Sequence, residues 1–138
     1  MFATATFRNA SNAYREVGVE TGVSTASSHK LVAMLFDGFF DAVAQARGAL
    51  LAGRNADKGR AIGRAVRIIE EGLKAGLDRQ HGGELAANLN GLYGFVALRL
   101  TEANLHNDDA ALLECARLLE PVRSAWLAID PVSLPKAQ

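Results

Sequence analysis

Side chains that could do chemistry are few in this sequence, and none of them is grouped as an active site requires. The three histidines, His29, His81 and His106, fall near predicted helix ends or turns. Zinc sites need clustered Cys and His ligands, but Cys115 is the only cysteine. A di-iron bundle needs Glu-x-x-His repeats, whereas Glu102 and His106 are four residues apart. The spacing therefore predicts no metal site.

Three other features have a simpler explanation than catalysis. Asp37 and Asp41 share a helix face, but a carboxylate pair on the polar side of a helix is usually only solvated. No strand precedes Gly82-Gly83, as a phosphate-binding loop requires, so these glycines are expected to turn the chain and start a helix. Cys115 falls on an apolar helix stripe and is expected to pack in the core. The sequence predicts a protein that is not an enzyme, with no catalytic residue and no cofactor.

Charge and composition limit the classes of partner. Lys plus Arg is 15 and Asp plus Glu is 15, so the formal net charge is zero. Contacts to nucleic-acid phosphates need a cationic surplus, so no nucleic acid is expected as a partner. The single cysteine fits a reducing cytosol. A signal peptide and a long apolar run are both absent from the sequence, which predicts a cytoplasmic protein without membrane insertion.

Apolar residues recur at helical spacing, and strand alternation is nearly absent. Four long helices are predicted at about 28–52, 56–79, 83–106 and 109–129. Because short loops between long helices favour antiparallel neighbours, we predict an all-α fold, an antiparallel up-down-up-down four-helix bundle that forms a single domain over residues 1–138. Pro121 is expected to kink the fourth helix near Glu120 or to end it early, and residues 130–138 are expected to fray.

The N-terminal segment 1–17 carries its own helical pattern. Phe7, Ala10, Tyr14 and Val17 are spaced 3, 4 and 3 residues apart, which predicts a short amphipathic helix. A helix this short is marginal alone, so its apolar face must rest on another surface. We expect it to act as a cap on the bundle, joined to it by a glycine-containing linker at residues 18–26.

Two of the long helices carry more apolar surface than one core stripe requires. Apolar residues sweep about half the circumference of the first helix, and the third helix has a second apolar stripe. If this surplus binds a partner, the candidate contacts are Tyr14, Val17, Met34, Phe40, Phe95, Leu98 and Leu105. If the helices pack on three sides, the same residues belong to the core. Self-association, as a weak homodimer or as a structural homo-oligomer without a client, is the other alternative.

The second helix carries a basic strip. Its members are Arg60, Arg64, Arg67 and Lys74. With Glu70 and Glu71 alongside, the strip is interpreted as a solvated face, and phosphate binding is the minor alternative.

Several segments along the chain match one known family in order. They are Ser24–Ser27 followed by Leu31–Gly38, then Leu77-Asp78, Gly82–Leu89, Leu92-Tyr93, Ala103-Asn104, Leu118-Leu119 and Arg123–Trp126. In this pattern the sequence resembles the flagellar secretion chaperones of the FliS family over nearly its whole length. It departs from the family where Ser28 replaces the usual proline, where Phe36 replaces the usual tyrosine, and at Pro121. These departures concern local helix starts and ends.

The resemblance implies a helical bundle with a short N-terminal cap helix. It also implies a cytosolic export chaperone that binds the disordered C-terminal segment of flagellin and prevents its premature polymerisation. Docking of that complex to the export-gate protein of the flagellar type III secretion system is a further implication.

Overall fold

The computed structural model describes residues 25–78 and 80–129. Helix α1 spans Thr25–Leu51, α2 spans Asn55–Arg67 and continues into a π-helical segment at Ile68–Lys74, α3 spans Gly83–His106, and α4 spans Asp109–Leu127. The predicted cap at 1–17, including Tyr14 and Val17, and the tail at 130–138 lie outside the described residues. Within the described part every regular element is a helix, which confirms the all-α prediction.

The four helices stand at the corners of a square. Helix α1 packs against α2 with its π-helical segment and against α4, and α3 packs against the same two neighbours. Over the described residues the diagonal pairs, α1 with α3 and α2 with α4, have no Cα atoms within 8 Å of each other. Short turns join consecutive helices, so neighbours run antiparallel and the predicted four-helix bundle is confirmed.

The core is built from one apolar stripe of each helix. Its largest fully buried side chains include Phe36 and Phe39 of α1, Leu73 of the π-helical segment, Tyr93 of α3 and Leu119 of α4. Burying side chains of this size stabilises the fold by about 1.5–3 kcal/mol each relative to exposure. The bundle is therefore held mainly by apolar burial along its central axis.

Cys115 lies in this core, as the apolar stripe predicted. Its Sγ points to the carbonyl of Val96 at 3.8 Å. Burial raises the pKa of the thiol to about 12, and the nearby Glu114 carboxylate adds to the effect. With this pKa the cysteine stays protonated at neutral pH. Because the thiolate is the reactive form, the protonated thiol is inert.

The second helix differs most from its predicted form. A regular helix was expected to continue to residue 79, but the backbone widens into π-helical turns after Arg67 and leaves helical geometry after Lys74. The π-helical segment approaches α1 so closely that a Cβ at Gly72 would lie 2.8 Å from Cδ2 of Leu35. Glycine at this position therefore permits the close packing of the two helices.

Helix α4 begins and ends in ways that local chemistry explains. Asp108 caps it, since its Oδ1 accepts a hydrogen bond from the Ala111 N–H at 3.1 Å. Of the two outcomes expected at Pro121, a kink near Glu120 or an early end, the early end is wrong, because the helix continues to Leu127. Pro121 lies on the exposed side of α4, where water can reach the carbonyl that its missing N–H leaves unpaired.

Asp78 organises the connection between the π-helical segment and α3. Its side chain is buried, and its Oδ1 accepts hydrogen bonds from the backbone N–H groups of Gln80 and His81. Its Oδ2 lies 2.8 Å from Nδ1 of His81. Burial alone would raise the pKa of this carboxyl, but the hydrogen bonds from His81 and Gln80 outweigh burial and leave the pKa below its ordinary 3.8.

Because the pKa of Asp78 is lower in the folded state than in the unfolded state, the free energy of unfolding depends on pH. The stabilisation by Asp78 is complete above the unfolded-state pKa and is lost as the pH falls through the lower folded-state pKa. We expect Asp78→Asn to lower the free energy of unfolding at about pH 7, and the difference from the parent chain to shrink as the pH falls below the unfolded-state pKa of about 3.9. Urea unfolding of both chains across this pH range measures the difference. A gap that stayed constant down to the lowest pH would show that the charge of Asp78 contributes nothing.

Candidate partner-binding surfaces

An apolar groove runs between α1 and the π-helical segment. It encloses about 490 Å³ and is lined mainly by Leu31, Met34, Leu35, Gly38, Ile68, Gly72, Ala75 and Gly76. We call this the apolar groove. Met34, at its rim, is 56% exposed. Its width and lining suit the apolar side chains of an amphipathic helix.

A second apolar surface lies on the outer face of α3. Phe95, Leu98 and Leu105 are 46%, 58% and 74% exposed. At about 100° per residue these three side chains lie on the face opposite the buried Tyr93 and Leu100. We call these three residues the α3 stripe. Exposed apolar side chains grouped in this way are typical of interaction sites rather than of a bare surface.

Phe40 lies apart from both surfaces and is partly covered by its own chain. Its ring makes an edge-to-face contact with Phe39 at 5.1 Å between centroids. The guanidinium carbon of Arg123 lies 5.7 Å from the centroid of the Phe40 ring. Arg123 is held there because its Nη2 donates to Oδ1 of Asp37 at 3.0 Å. Among the sequence-predicted contacts, Phe40 thus lies at the boundary between α1 and α4.

The predicted contacts therefore occupy three places. Met34 lies in the apolar groove, Phe95, Leu98 and Leu105 form the α3 stripe, and Phe40 lies under Arg123. Sequence periodicity separated surplus side chains from core side chains but carried no information on which surplus residues are neighbours. The groove residues Ile68 and Gly72 were missed, because they come from a helix whose pattern had only one apolar stripe.

A polar cleft continues the apolar groove toward the α1–α2 turn. It encloses about 430 Å³ and is lined by Gln45, Gly48, Ala49, Arg54, Asp57, Arg60, Ala61 and Arg64. We call this the arginine cleft. Asp57 accepts a hydrogen bond from Arg60 and lies 3.8 Å from Nε of Arg54. Arg64 lines both the arginine cleft and the apolar groove.

The basic strip of the second helix is divided by the fold. Arg60 and Arg64 line the arginine cleft, whereas Nζ of Lys74 lies 3.3 Å from Glu70 and points toward α3 near Gly94. Arg60, Arg64 and Arg67 are exposed, as the interpretation of a solvated face expects, whereas Lys74 is half-buried.

Comparison with known proteins identifies the family. A family model described as "Flagellar protein FliS" matches residues 10–133. The chain belongs to the FliS family. It is 47% identical over 119 residues to the flagellar secretion chaperone FliS of Salmonella typhimurium, covering 86% of this chain and 88% of that protein. It is 44% identical over 117 residues to the flagellar secretion chaperone FliSB of Pseudomonas aeruginosa, covering 85% and 92%.

A more distant FliS relative matches as well. The flagellar secretion chaperone FliS of Bacillus subtilis is 30% identical over 107 residues, which covers 78% of each chain. Membership of the FliS family confirms the resemblance found in the sequence and establishes a flagellar export chaperone rather than an enzyme.

The residues that carry the FliS resemblance mostly build the bundle. Phe36 is fully buried in the core, Asp78 organises the turn before α3, and Trp126 is buried near the end of α4. Four residues of the first matching segment also line the apolar groove, namely Leu31, Met34, Leu35 and Gly38. Within residues 25–78 and 80–129, no helix has both the length and the apolar composition that crossing a membrane needs.

Proposed function

We propose that this FliS-family chaperone binds the disordered C-terminal segment of flagellin in the cytosol before export. Holding that segment prevents premature polymerisation, because its apolar residues are covered by the chaperone instead of by other flagellin molecules. The complex then docks to the export-gate protein of the flagellar type III secretion system. The observation that supports client binding is the pair of exposed apolar surfaces, the apolar groove and the α3 stripe.

The arrangement of the two surfaces determines how the client must bind. The apolar groove lies between α1 and the second helix, while the α3 stripe faces away from the core on the diagonally opposite helix. One straight helix cannot cover both. The client therefore folds as it binds, with one part in the groove and another on the stripe. A disordered client can wrap around a large surface in this way and retain moderate affinity, since ordering costs offset part of the burial.

The free energy of binding comes mainly from apolar burial, at about 25 cal/mol per Å² before ordering costs are subtracted. The zero net charge of the chaperone gives little long-range attraction, so specificity depends on shape and local charge. We propose that residues 1–17, with Tyr14 and Val17, cover part of the apolar groove when no client is present.

The direct experiment is a calorimetric titration of the full chain with a peptide from the flagellin C-terminus. We expect saturable binding of one peptide per chain, with a negative heat-capacity change from apolar burial. The same titration after removal of residues 1–17 should give a different dissociation constant, and an unchanged constant would contradict the cap.

Light scattering on the same samples separates this function from the self-association alternative. A monomer that becomes a one-to-one complex supports the chaperone. A stable oligomer that ignores the peptide would refute client binding and favour a structural homo-oligomer.

A further inference from the structure

The apolar groove and the arginine cleft share one lining residue, Arg64, and differ in chemistry; together we call them the channel. Leu31 and Gly76 line the apolar end, and Arg64 marks the junction with the cleft. The channel follows α1 from Leu31 through Gly38 to Ala49, a path of about 27 Å at 1.5 Å per residue. The apolar part, from Leu31 to Gly38 beside Arg64, is about 11 Å long, so about two turns of a bound helix would fill it.

The arginine cleft is electropositive in a chain of zero net charge. Three arginines and one aspartate line it, which leaves a surplus of two positive charges. Asp57 pairs with two of these arginines: it accepts a hydrogen bond from Arg60 and lies 3.8 Å from Nε of Arg54. Among the described residues, no carboxylate lies within 4.0 Å of Arg64. Arg64 is therefore the cation in the channel that remains open to a ligand.

The position of Arg64 makes it suitable for this role. Arg64 is exposed, and its Nη2 would lie 3.7 Å from a Cβ built at Gly38, so the guanidinium extends across the channel toward α1. The tighter neighbour of that Cβ would be Cδ1 of Ile68, at 3.2 Å. At the apolar end the charged lining residue is Glu71, which gives the channel a negative group at one end and positive groups at the other.

We propose that the channel fixes the direction of the bound segment, with the terminal α-carboxylate of the client at Arg64. This inference rests on the proposed function, because a C-terminal segment always carries that carboxylate. A helix bound in this direction has the negative end of its dipole at the arginines and the positive end near Glu71. Both electrostatic interactions stabilise this direction of binding. The client segment in the channel thus runs parallel to α1 and antiparallel to α2.

The test compares two synthetic peptides of identical sequence from the flagellin C-terminus, one with a free terminal carboxylate and one with a terminal amide. Each is titrated against the full chain and against Arg64→Gln. The parent chain should bind the carboxylate peptide about three- to tenfold more tightly, a preference that salt weakens because the pair is partly exposed. Arg64→Gln should bind the two peptides equally. Arg67→Gln, an exposed arginine outside the channel lining, should keep the preference.

The outcomes separate this inference from the proposed function. Equal binding of both peptides to the parent chain would overturn the carboxylate site while leaving client binding intact. A preference that persists in Arg64→Gln would place the carboxylate elsewhere and overturn it as well. If Arg64→Gln weakens both peptides by the same factor, Arg64 pairs with an acidic side chain of the client and the proposed direction is wrong. Failure of both peptides to bind the parent chain would refute the proposed function itself.

Discussion

Leu98→Asp is expected to weaken binding of the flagellin segment at least tenfold, or by about 1.4 kcal/mol. Leu98 is the central residue of the α3 stripe, and 58% of it is exposed. Covering a leucine with a client contributes about 1.5–3 kcal/mol, and an aspartate at the same place must also lose its hydration. The fold should be unaffected, because the side chain lies on the face of α3 opposite the core.

Leu51→Asp is the matched control for this variant. Leu51 is 72% exposed at the end of α1, outside both the apolar groove and the α3 stripe. The substitution makes the same change in charge and size, so a non-specific effect of the added carboxylate would appear in both variants. Titration with the flagellin peptide, together with urea unfolding, measures affinity and stability. If Leu98→Asp is folded and binds as tightly as Leu51→Asp, the α3 stripe does not contact the client.

Trp126→Ala is expected to destabilise the bundle by about 3–5 kcal/mol, the usual cost of removing a buried aromatic side chain. Trp126 is 4% exposed and stacks on the ring of His29 with centroids 5.0 Å apart. Its Nε1 donates to the His29 carbonyl at 2.9 Å, while Nε2 of His29 donates to the Trp126 carbonyl at 2.8 Å. These contacts fasten the first turns of α1 to the last turn of α4.

Trp126→Phe separates ring packing from hydrogen bonding in this contact. The variant keeps an aromatic ring but lacks the indole N–H, so we expect a smaller loss of about 1–2 kcal/mol. Urea unfolding at fixed pH gives both values. A loss below about 1 kcal/mol for Trp126→Ala would mean that this end of the bundle is held by other contacts. Because Leu31 and Met34 follow His29 within two turns, the larger loss should also loosen the apolar groove.

Local signals in the sequence were sufficient to predict most of the helices. The predicted range of α3 matches the observed Gly83–His106, because the pair Gly82-Gly83 marks its start and Asn107 follows its end in the left-handed conformation with φ of 51°. The end of the second helix was not predictable in the same way. Its widening at Ile68–Lys74 accompanies the close approach of Gly72 to Leu35, a contact between segments far apart in the sequence.

The candidate site was predicted less completely, and for the same reason. Helical periodicity identified Met34, Leu98 and Leu105 as surplus to the core, and all three are exposed. It did not reveal that Arg123 covers Phe40 from the fourth helix. Nor did periodicity reveal that Lys58 is buried, with its Nζ donating to the Asn104 carbonyl at 2.9 Å. Such roles depend on distant parts of the chain, which short-range patterns do not encode.

The most direct test of client binding at both apolar surfaces is methyl NMR of the full chain during titration with the flagellin C-terminal peptide. Met34 reports on the apolar groove, Leu98 and Leu105 report on the α3 stripe, and Leu51 serves as the remote reference. We predict that the methyl signals of Met34, Leu98 and Leu105 shift together with one dissociation constant, while those of Leu51 stay unchanged. Saturable binding that leaves the Met34 and Leu98 signals in place would contradict the account.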